Sequence, residues 1–293
     1  MKAPDFAYVC ADSVEHARSA FAACDGDARY LAGGQSLLAA LNLRLLAPDL
    51  LIDISRIEAL RGIEKRNDEI RIGAVTRHAE VMSSGLVADH VPLLASAVHF
   101  VAHPAIRNKG TIGGSLALAD PAAEFPAVAL ALDARFEIIG EQGVRFVAAD
   151  DFFRDLYETA IAPGEILSAV WFPCARPTQR FVFDELARRR GDYAIIGNAI
   201  AAEIESEIVK SIRIAFLSAG PTPMRARRAE EALTGQPIGA ATIAAAQAGL
   251  DGDLMLDVDP TTSAATRLHL ARVLLRRQLE KLAQGGAPTA RAS

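Results

Sequence analysis

The chain has 293 residues, of which 51% are hydrophobic and 23% are charged, and its formal net charge is −5. This length and composition predict about two globular domains with a sizeable buried core. The acidic balance and the short basic clusters exclude a typical nucleic-acid-binding protein, and no run approaches the roughly 18 apolar residues of a membrane span. Because the chain does not open with a basic start and an apolar segment, we expect a cytoplasmic protein without a transmembrane segment.

Hydrophobic periodicity predicts mixed strands and helices in the first part of the chain. Strands are expected at 6–9, 29–32, 50–54, 63–65, 70–73, 135–139, 144–148 and 166–172. Helices are expected at about 12–23, 37–43, 76–84, 90–102 and 121–133. Asp12 and Glu15 form a predicted capping box for the first helix, Ser36 is the predicted cap of the second, and Pro104 ends the fourth.

The pattern becomes simpler after residues 173–178, which contain two prolines and form the expected linker. Strands are then predicted at 180–186, 195–204 and 208–217, and helices at 225–233, 240–248 and 262–282. This order indicates a three-stranded sheet packed on helices. We therefore divide the chain into a first domain, 1–177, a second domain, 178–285, and a flexible tail, 286–293.

Two turns with adjacent glycines stand out in the first domain. One is Ala32-Gly-Gly-Gln-Ser36, and the other is Thr111-Ile-Gly-Gly-Ser115. Adjacent glycines allow a ligand to approach the backbone closely, and successive N–H groups in such a turn can form a nest that binds an anion. Two nests could hold one diphosphate, but neither turn is a GxGxxG or GxxxxGK[ST] motif, so spacing does not name the nucleotide.

Motifs for acid–base or metal chemistry are missing from the sequence. There is no GxSxG elbow, no HExxH and no CxxC, so we expect no catalytic dyad and no metal site on this chain. Asp120 and Glu124 are four residues apart, and we expect one to cap a helix and the other to contact a ligand or solvent. Tyr193 follows Gly191-Asp192, where a tyrosine is either an ordinary core aromatic or a contact for a flat ligand.

Several motifs together resemble the FAD-binding medium subunit of molybdenum hydroxylases. The motifs are Ala32–Ser36, Arg107–Ser115 with Ala119–Glu124, Gly191–Ala194 and Gly220-Pro-Thr-Pro-Met-Arg225. The chain is similar above all to the medium subunit of aerobic carbon monoxide dehydrogenase, and the same module is a domain of xanthine dehydrogenase. The resemblance implies an α+β, p-cresol methylhydroxylase-type fold with two subdomains, 1–55 and 56–177, and a smaller C-terminal domain over the flavin.

The resemblance also implies which residues bind FAD. The two glycine turns would hold the diphosphate, Glu124 would lie near the adenosine part, and Tyr193 and Leu167 would lie near the isoalloxazine. The implied FAD-binding residues are Ala32, Gly33, Gly34, Gln35, Ser36, Leu37, Thr111, Gly113, Gly114, Ser115, Glu124, Leu167 and Tyr193. Gln35 stands where many relatives have His, and Asp184 lies near a position where xanthine dehydrogenases have Lys.

The function implied by the resemblance is electron transfer. The chain would pass electrons from the [2Fe–2S] clusters of a small subunit through FAD to an external acceptor. A large molybdenum–pterin subunit would oxidise the substrate, and the assembly would be a dimer of heterotrimers. Two alternatives remain open: a stand-alone flavin oxidoreductase of the same fold, and a flavin-free structural or nucleotide-binding module.

Overall fold

The structure is a computed structural model that describes residues 2–189, 191–256 and 262–285. Its described part contains three main β-sheets, a short two-stranded ribbon and helices that cover the sheets. The predicted mixture of strands and helices is confirmed, whereas the predicted flexible tail lies outside the described residues.

The first sheet is small and parallel. Its elements are β1 (Ala7–Cys10), α1 (Val14–Ala22), β2 (Ala28–Leu31), α2 (Leu37–Asn42) and β3 (Leu50–Asp53). The strands lie in the order β1-β3-β2, so the last strand inserts between the first two. The first glycine turn therefore leaves the sheet at the carboxyl end of β2, where ligands commonly bind in parallel sheets.

The cap of α1 differs from the prediction. Ser13 is the N-cap, and its side chain accepts a hydrogen bond from the backbone N–H of His16 at 3.1 Å. Asp12 instead contacts the His16 ring. The capping box at Asp12 and Glu15 was wrong by one residue, because Ser and Asp are nearly equal as N-caps and stood side by side.

The second sheet is antiparallel and has five strands. A 3₁₀ turn at Glu58–Leu60 leads into it. The elements of this part of the chain are β4 (Ile63–Arg66), β5 (Glu69–Gly73), α3 (His78–Ser83), α4 (Gly85–His90), α5 (Pro92–Ala97), α6 (Pro104–Arg107), α7 (Ile112–Leu118), α8 (Glu124–Ala131), β6 (Arg135–Gly140), β7 (Gly143–Ala148), α9 (Ala149–Phe152), β8 (Phe153–Asp155), β9 (Glu158–Thr159) and β10 (Ile166–Pro173). The five strands of the sheet lie in the order β4-β5-β10-β6-β7, and β8 and β9 form a separate two-stranded ribbon.

The predicted long helix at 90–102 is absent as a single element. The chain forms α4 and α5, separated at Val91, and α5 ends at Ala97. Pro92 occupies the first helical position of α5, where its missing N–H costs nothing, but it cannot continue the helix before it.

The C-terminal sheet has four antiparallel strands instead of the predicted three, in the order β11-β12-β13-β14. Its elements are β11 (Gln179–Leu186), β12 (Ile196–Glu205), β13 (Ile208–Leu217), β14 (Met224–Arg225), α10 (Arg227–Leu233), α11 (Ala240–Asp253) and α12 (Ala264–Ala283). The additional strand, β14, has only two residues, too few for a periodic signal.

Both faces of this C-terminal sheet are buried. Successive side chains of a strand point to opposite faces, and the core follows that rule. Ile200, Ile214 and Phe216 pack with the C-terminal helices. Their neighbours Ala199, Ala215 and Leu217 belong to the core of the five-stranded sheet. The C-terminal sheet is thus fixed against the first domain by a shared apolar core.

An ion-pair network flanks this shared core. The Arg213 guanidinium, on β13, donates to the Leu130 carbonyl at 2.9 Å and pairs with Asp133 and Asp150. Burial opposes ionisation of Asp150, but Arg213, Arg225 and Arg227 hold the pKa of its carboxyl below the ordinary value. Ala148 is the N-cap residue of α9, and Asp150 links this helix to β13, β14 and α10 through its arginine partners.

Gly73→Ala tests the packing of β5 on the preceding turn. An added Cβ would lie 2.7 Å from the Leu60 carbonyl carbon, which is backbone and cannot swing away. We expect a loss of roughly 1–3 kcal/mol in the free energy of unfolding. Gly85→Ala is the matched control, because nothing lies within 4 Å of its added Cβ. Equal thermal unfolding midpoints for the two variants would contradict this packing.

Candidate functional site

The first glycine turn presents unused backbone donors. Gly34 has φ +72°, a left-handed conformation that favours glycine. Within the described chain, no hydrogen bond uses the N–H groups of Gly33 to Leu37. Ser36 is the N-cap residue of α2, as predicted, but its side chain makes no cap hydrogen bond, and the residue is exposed. The turn therefore offers N–H and O–H donors to an anion.

The second glycine turn is built differently. It is the first turn of α7, with Thr111 as N-cap. The N–H of Ile112 donates to Thr76 O, Gly113 to Ala74 O, Gly114 to Thr111 Oγ1 and Ser115 to Thr111 O. The predicted second nest is wrong, because all four N–H groups already have acceptors. What this turn leaves for a ligand is the exposed surface of Gly114 and the Ser115 side chain.

Gly33 brings the two turns into direct backbone contact. A Cβ at Gly33 would overlap the Lys109 carbonyl oxygen and lie 2.8 Å from Gly110 Cα. Gly113 is equally confined, since its Cβ would lie 2.6 Å from Ala74 Cα. The turn after β2 and the chain that enters α7 thus form one continuous backbone surface, which a side chain at Gly33 would disrupt.

The C-terminal domain contributes a third segment. Gly191, with φ +86°, packs on His103, whose Cε1 would lie 2.5 Å from an added Cβ. Nearby, the Ser218 N–H donates to the Pro121 carbonyl at 2.7 Å, between α7 and α8. The Tyr193 ring is 72% exposed, so the interpretation of Tyr193 as a core aromatic is wrong. A large exposed aromatic side chain is a typical ligand contact. We use the word cleft for the surface formed by the two glycine turns and residues 191–193.

Carboxyl groups cluster near the contact between α8 and the C-terminal sheet. Burial, with the nearby negative charge of Asp120, raises the pKa of Glu124 to about 7. Burial, with the charges of Glu124 and Asp184, raises the pKa of Glu185 to about 8. Burial likewise raises the pKa of Asp120. Because like charges in a low-dielectric site oppose each other's ionisation, Glu185 is largely protonated at neutral pH.

Two further side chains lie behind the second turn. Burial, reinforced by the positive charge of Arg107, lowers the pKa of His78 to about 4. Its neutral ring packs 5.1 Å from Phe125. Arg107 donates to the carbonyl oxygens of Val101 and Ala102 at 2.7 and 2.9 Å, and its charge also favours the ionised form of Glu124. Arg107 therefore orders the chain that leads into the turn.

The remaining predicted residues lie at different depths. The Gln35 amide donates to the Gly33 carbonyl at 3.2 Å, which steadies the first turn. Leu167 is only 5% exposed and packs in the core, so little of it is open to a ligand. Asp184 pairs with Lys281 of α12 at 3.5 Å, on the opposite face of β11 from Phe183 and Glu185.

Glu185, His78 and Arg107 were not predicted as site residues. His78 and Glu185 stand in stretches whose pattern predicts an ordinary helix and strand, and Arg107 opens the motif Arg107–Ser115 without being assigned a role. No sequence pattern predicted a role for Tyr157 either. The sequence spacing Asp120–Glu124 was the one indication of an acidic site, and both residues do lie in it.

Comparison with known proteins agrees with this geometry. A family model described as the FAD-binding domain in molybdopterin dehydrogenase matches residues 4–175. A second, described as the CO dehydrogenase flavoprotein C-terminal domain, matches residues 181–282. The chain belongs to the FAD-binding subunits of the molybdenum hydroxylases. This confirms the family, the fold and the cofactor, FAD, that the resemblance implied.

Similar proteins within the family are full-length matches. The 6-hydroxypseudooxynicotine dehydrogenase complex subunit alpha of Paenarthrobacter nicotinovorans is 42% identical, over 99% of this chain and 98% of that protein. A solved chain of carbon monoxide dehydrogenase from Hydrogenophaga pseudoflava is 35% identical, with a TM-score of 0.92, over 94% and 96% of the two chains. A chain of quinoline 2-oxidoreductase from Pseudomonas putida 86 is 37% identical, with a TM-score of 0.92, over 97% and 99%.

None of the described helices is long and apolar enough to span a bilayer. The family is one of oxidoreductase subunits, and the chain shares its flavoprotein domains throughout.

Glu185→Gln tests the buried carboxyl through the pH dependence of stability. The folded protein holds the Glu185 proton up to about pH 8, whereas the unfolded chain releases it near the ordinary value. In that window the unfolded state binds fewer protons, so stability falls as pH rises, by at most about 1.4 kcal/mol per pH unit. Between the ordinary pKa of a glutamate and about pH 8, we expect the free energy of unfolding of flavin-free Glu185→Gln to fall less with rising pH than that of the wild type. Glu205→Gln, at an exposed position, should behave like wild type.

Proposed function

We propose that this chain is the FAD-carrying electron-transfer subunit of a molybdenum hydroxylase. It passes electrons from [2Fe–2S] clusters of a small subunit, through FAD, to an external acceptor. The observation that carries the proposal is the joined backbone surface of the two glycine turns, with free donors on the first. Such a surface fits a diphosphate, because it admits close approach and supplies N–H groups.

The residues that would hold the cofactor are those of the cleft. The first turn donates to the diphosphate, Gly114 and Ser115 complete its other side, and Glu124 and Tyr193 contact the adenosine part and the ring system. The full proposed set is Ala32, Gly33, Gly34, Gln35, Ser36, Leu37, Thr111, Gly113, Gly114, Ser115, Glu124, Leu167 and Tyr193. Thr111 and Gly113 act by shaping the turn, since their groups bond within the protein.

The chain's own contribution to the reaction is binding, orientation and shielding from water. When bound, FAD supplies the redox chemistry of the site. The shared core and the Arg213 network fix the C-terminal sheet in place, and Gly191 packs on His103, so that Tyr193 would contact the cofactor. The protonated carboxyl of Glu185 keeps the interface less negative than its acid count suggests, which favours an anionic cofactor.

The proposal extends to the assembly. The partners are a small [2Fe–2S] subunit and a large molybdenum–pterin subunit, in a cytoplasmic dimer of heterotrimers, and the chain divides at residues 177 and 178. An N-heteroaromatic substrate for the large subunit is favoured over carbon monoxide, because quinoline is such a compound and the name of the 42% identical relative denotes a hydroxylated pyridine.

Gly33→Ala tests the joined turns. The added methyl would push the first turn off Lys109 and Gly110, so we expect FAD affinity to fall by about tenfold or more, the scale of one lost charge-assisted hydrogen bond. Gly239→Ala is the control, since nothing lies within 4 Å of its added Cβ. The measurement is a titration of the flavin-free protein with FAD. Wild-type affinity in Gly33→Ala would refute the two-turn site.

The assembly is tested by purifying the native protein without dissociating its partners. We expect a visible spectrum that combines flavin and iron–sulfur bands, and two further subunits at equal stoichiometry. A flavin spectrum with full substrate turnover by the lone chain would instead favour a stand-alone flavin oxidoreductase. A chain with no flavin, and none taken up from added FAD, would leave only a structural or nucleotide-binding module.

A further inference from the structure

The ribbon of β8 and β9 ends in a tip with two exposed hydrophobic side chains. Leu156 and Tyr157 connect Asp155 to Glu158, which pair across the ribbon. The Leu156 N–H donates to Asp155 Oδ1 at 2.7 Å, and the Ala160 N–H donates to the Phe152 carbonyl at 2.8 Å, so the ribbon is tied at both ends. The tip is therefore held in a defined conformation.

Tyr157 adopts an unfavourable backbone conformation to reach its position. Its φ is +58°, in the left-handed region that bulky L-residues rarely enter. Its side chain is nevertheless 56% exposed, so burial does not repay the strain. A strained residue that gains little from packing points to a functional contact.

The ribbon lies beside the helix that carries the second glycine turn. β9 packs against α7, the helix that begins at the second glycine turn and ends just before Asp120. The pKa of Tyr157 is raised by burial and by the charge of Asp120, and the pKa of Tyr193 is raised by burial and by the charges of Asp120 and Tyr157. The charge of Asp120 therefore acts on two exposed phenols, Tyr157 of the ribbon and Tyr193 of the segment after β11.

We propose that Tyr157 is a second aromatic contact for the isoalloxazine ring, presented by the ribbon of the first domain and paired with Tyr193 of the second. This inference rests on the proposed function, because it needs FAD in the cleft. Two tyrosine rings around one planar ligand place apolar faces on the ring system and leave the polar tips near Asp120. The C-terminal domain then closes the flavin site against a preformed wall.

The test compares the whole cofactor with its adenosine half. The purified complex is freed of flavin and titrated with FAD and, separately, with ADP, which lacks the isoalloxazine. For Tyr157→Ala we expect FAD affinity to fall about 3- to 10-fold, the scale of one aromatic pair, with ADP affinity unchanged. Tyr157→Phe keeps the ring and should keep FAD affinity. Leu156→Ala, at the neighbouring position of similar exposure, is the matched control.

Three outcomes would overturn the inference. Unchanged FAD affinity in Tyr157→Ala would remove this ring from the site. Equal losses for FAD and ADP would assign Tyr157 a structural role or a contact with the adenosine half. A wild-type complex that binds neither FAD nor ADP would refute the proposed function itself. If the wild-type complex binds FAD, a failed prediction for Tyr157→Ala refutes only the role of Tyr157.

Discussion

The contact between Gly33 and the Lys109–Gly110 backbone is the constraint on which the site depends. It joins a turn at the end of a three-stranded parallel sheet to a turn that leads into α7, beside the five-stranded sheet. Neither sheet could approach so closely with a side chain at this point. The cleft is therefore made by the packing of two sheets, and the glycine is the condition for that packing.

The two turns look alike in sequence but perform different tasks. The N–H groups of the first turn have no partners in the described chain, whereas those of the second donate to oxygens of Thr76, Ala74 and Thr111. A rigid second turn then serves as a wall against which the first is placed. This asymmetry has a simple physical source: α7 begins at Thr111, and a helix start that packs against β5 must satisfy its donors locally.

The sequence predicted the long periodic elements well and the local choices less well. The strands of the five-stranded and C-terminal sheets were expected within about two residues of their observed bounds, because alternation is a strong signal over such lengths. The N-cap of α1 is Ser13 and not Asp12, and the predicted helix at 90–102 is interrupted at Pro92. The strand β14 is too short to give a periodic pattern. The family resemblance of the motifs identified FAD as the ligand, whereas the spacing of the glycines alone indicated only a diphosphate.

The tertiary part of the site could not be read from one sequence. Glu185 looks like any polar residue of an alternating strand, and its burial near Glu124 arises only when the C-terminal sheet packs on α8 through β12 and β13. The position of Tyr157 depends on a left-handed backbone conformation at a two-residue tip. The tip contains no glycine or asparagine, the residues that would have predicted such a conformation. Residues of this kind become visible when the fold brings distant elements together.

The acids of the interface are arranged in two opposite ways. Around Asp150, arginines hold the carboxyl ionised, and the ion pairs fasten β13 and α10 to the first domain. Around Glu124 and Glu185, burial with few cations raises both pKa values, so a proton takes the place of a positive side chain. An anion bound beside these carboxyls would favour their protonated forms further. In the proposed site, protonation of these carboxyls would let an acidic surface accept an anionic cofactor, whereas the carboxylate of Asp150 stays ionised among arginines.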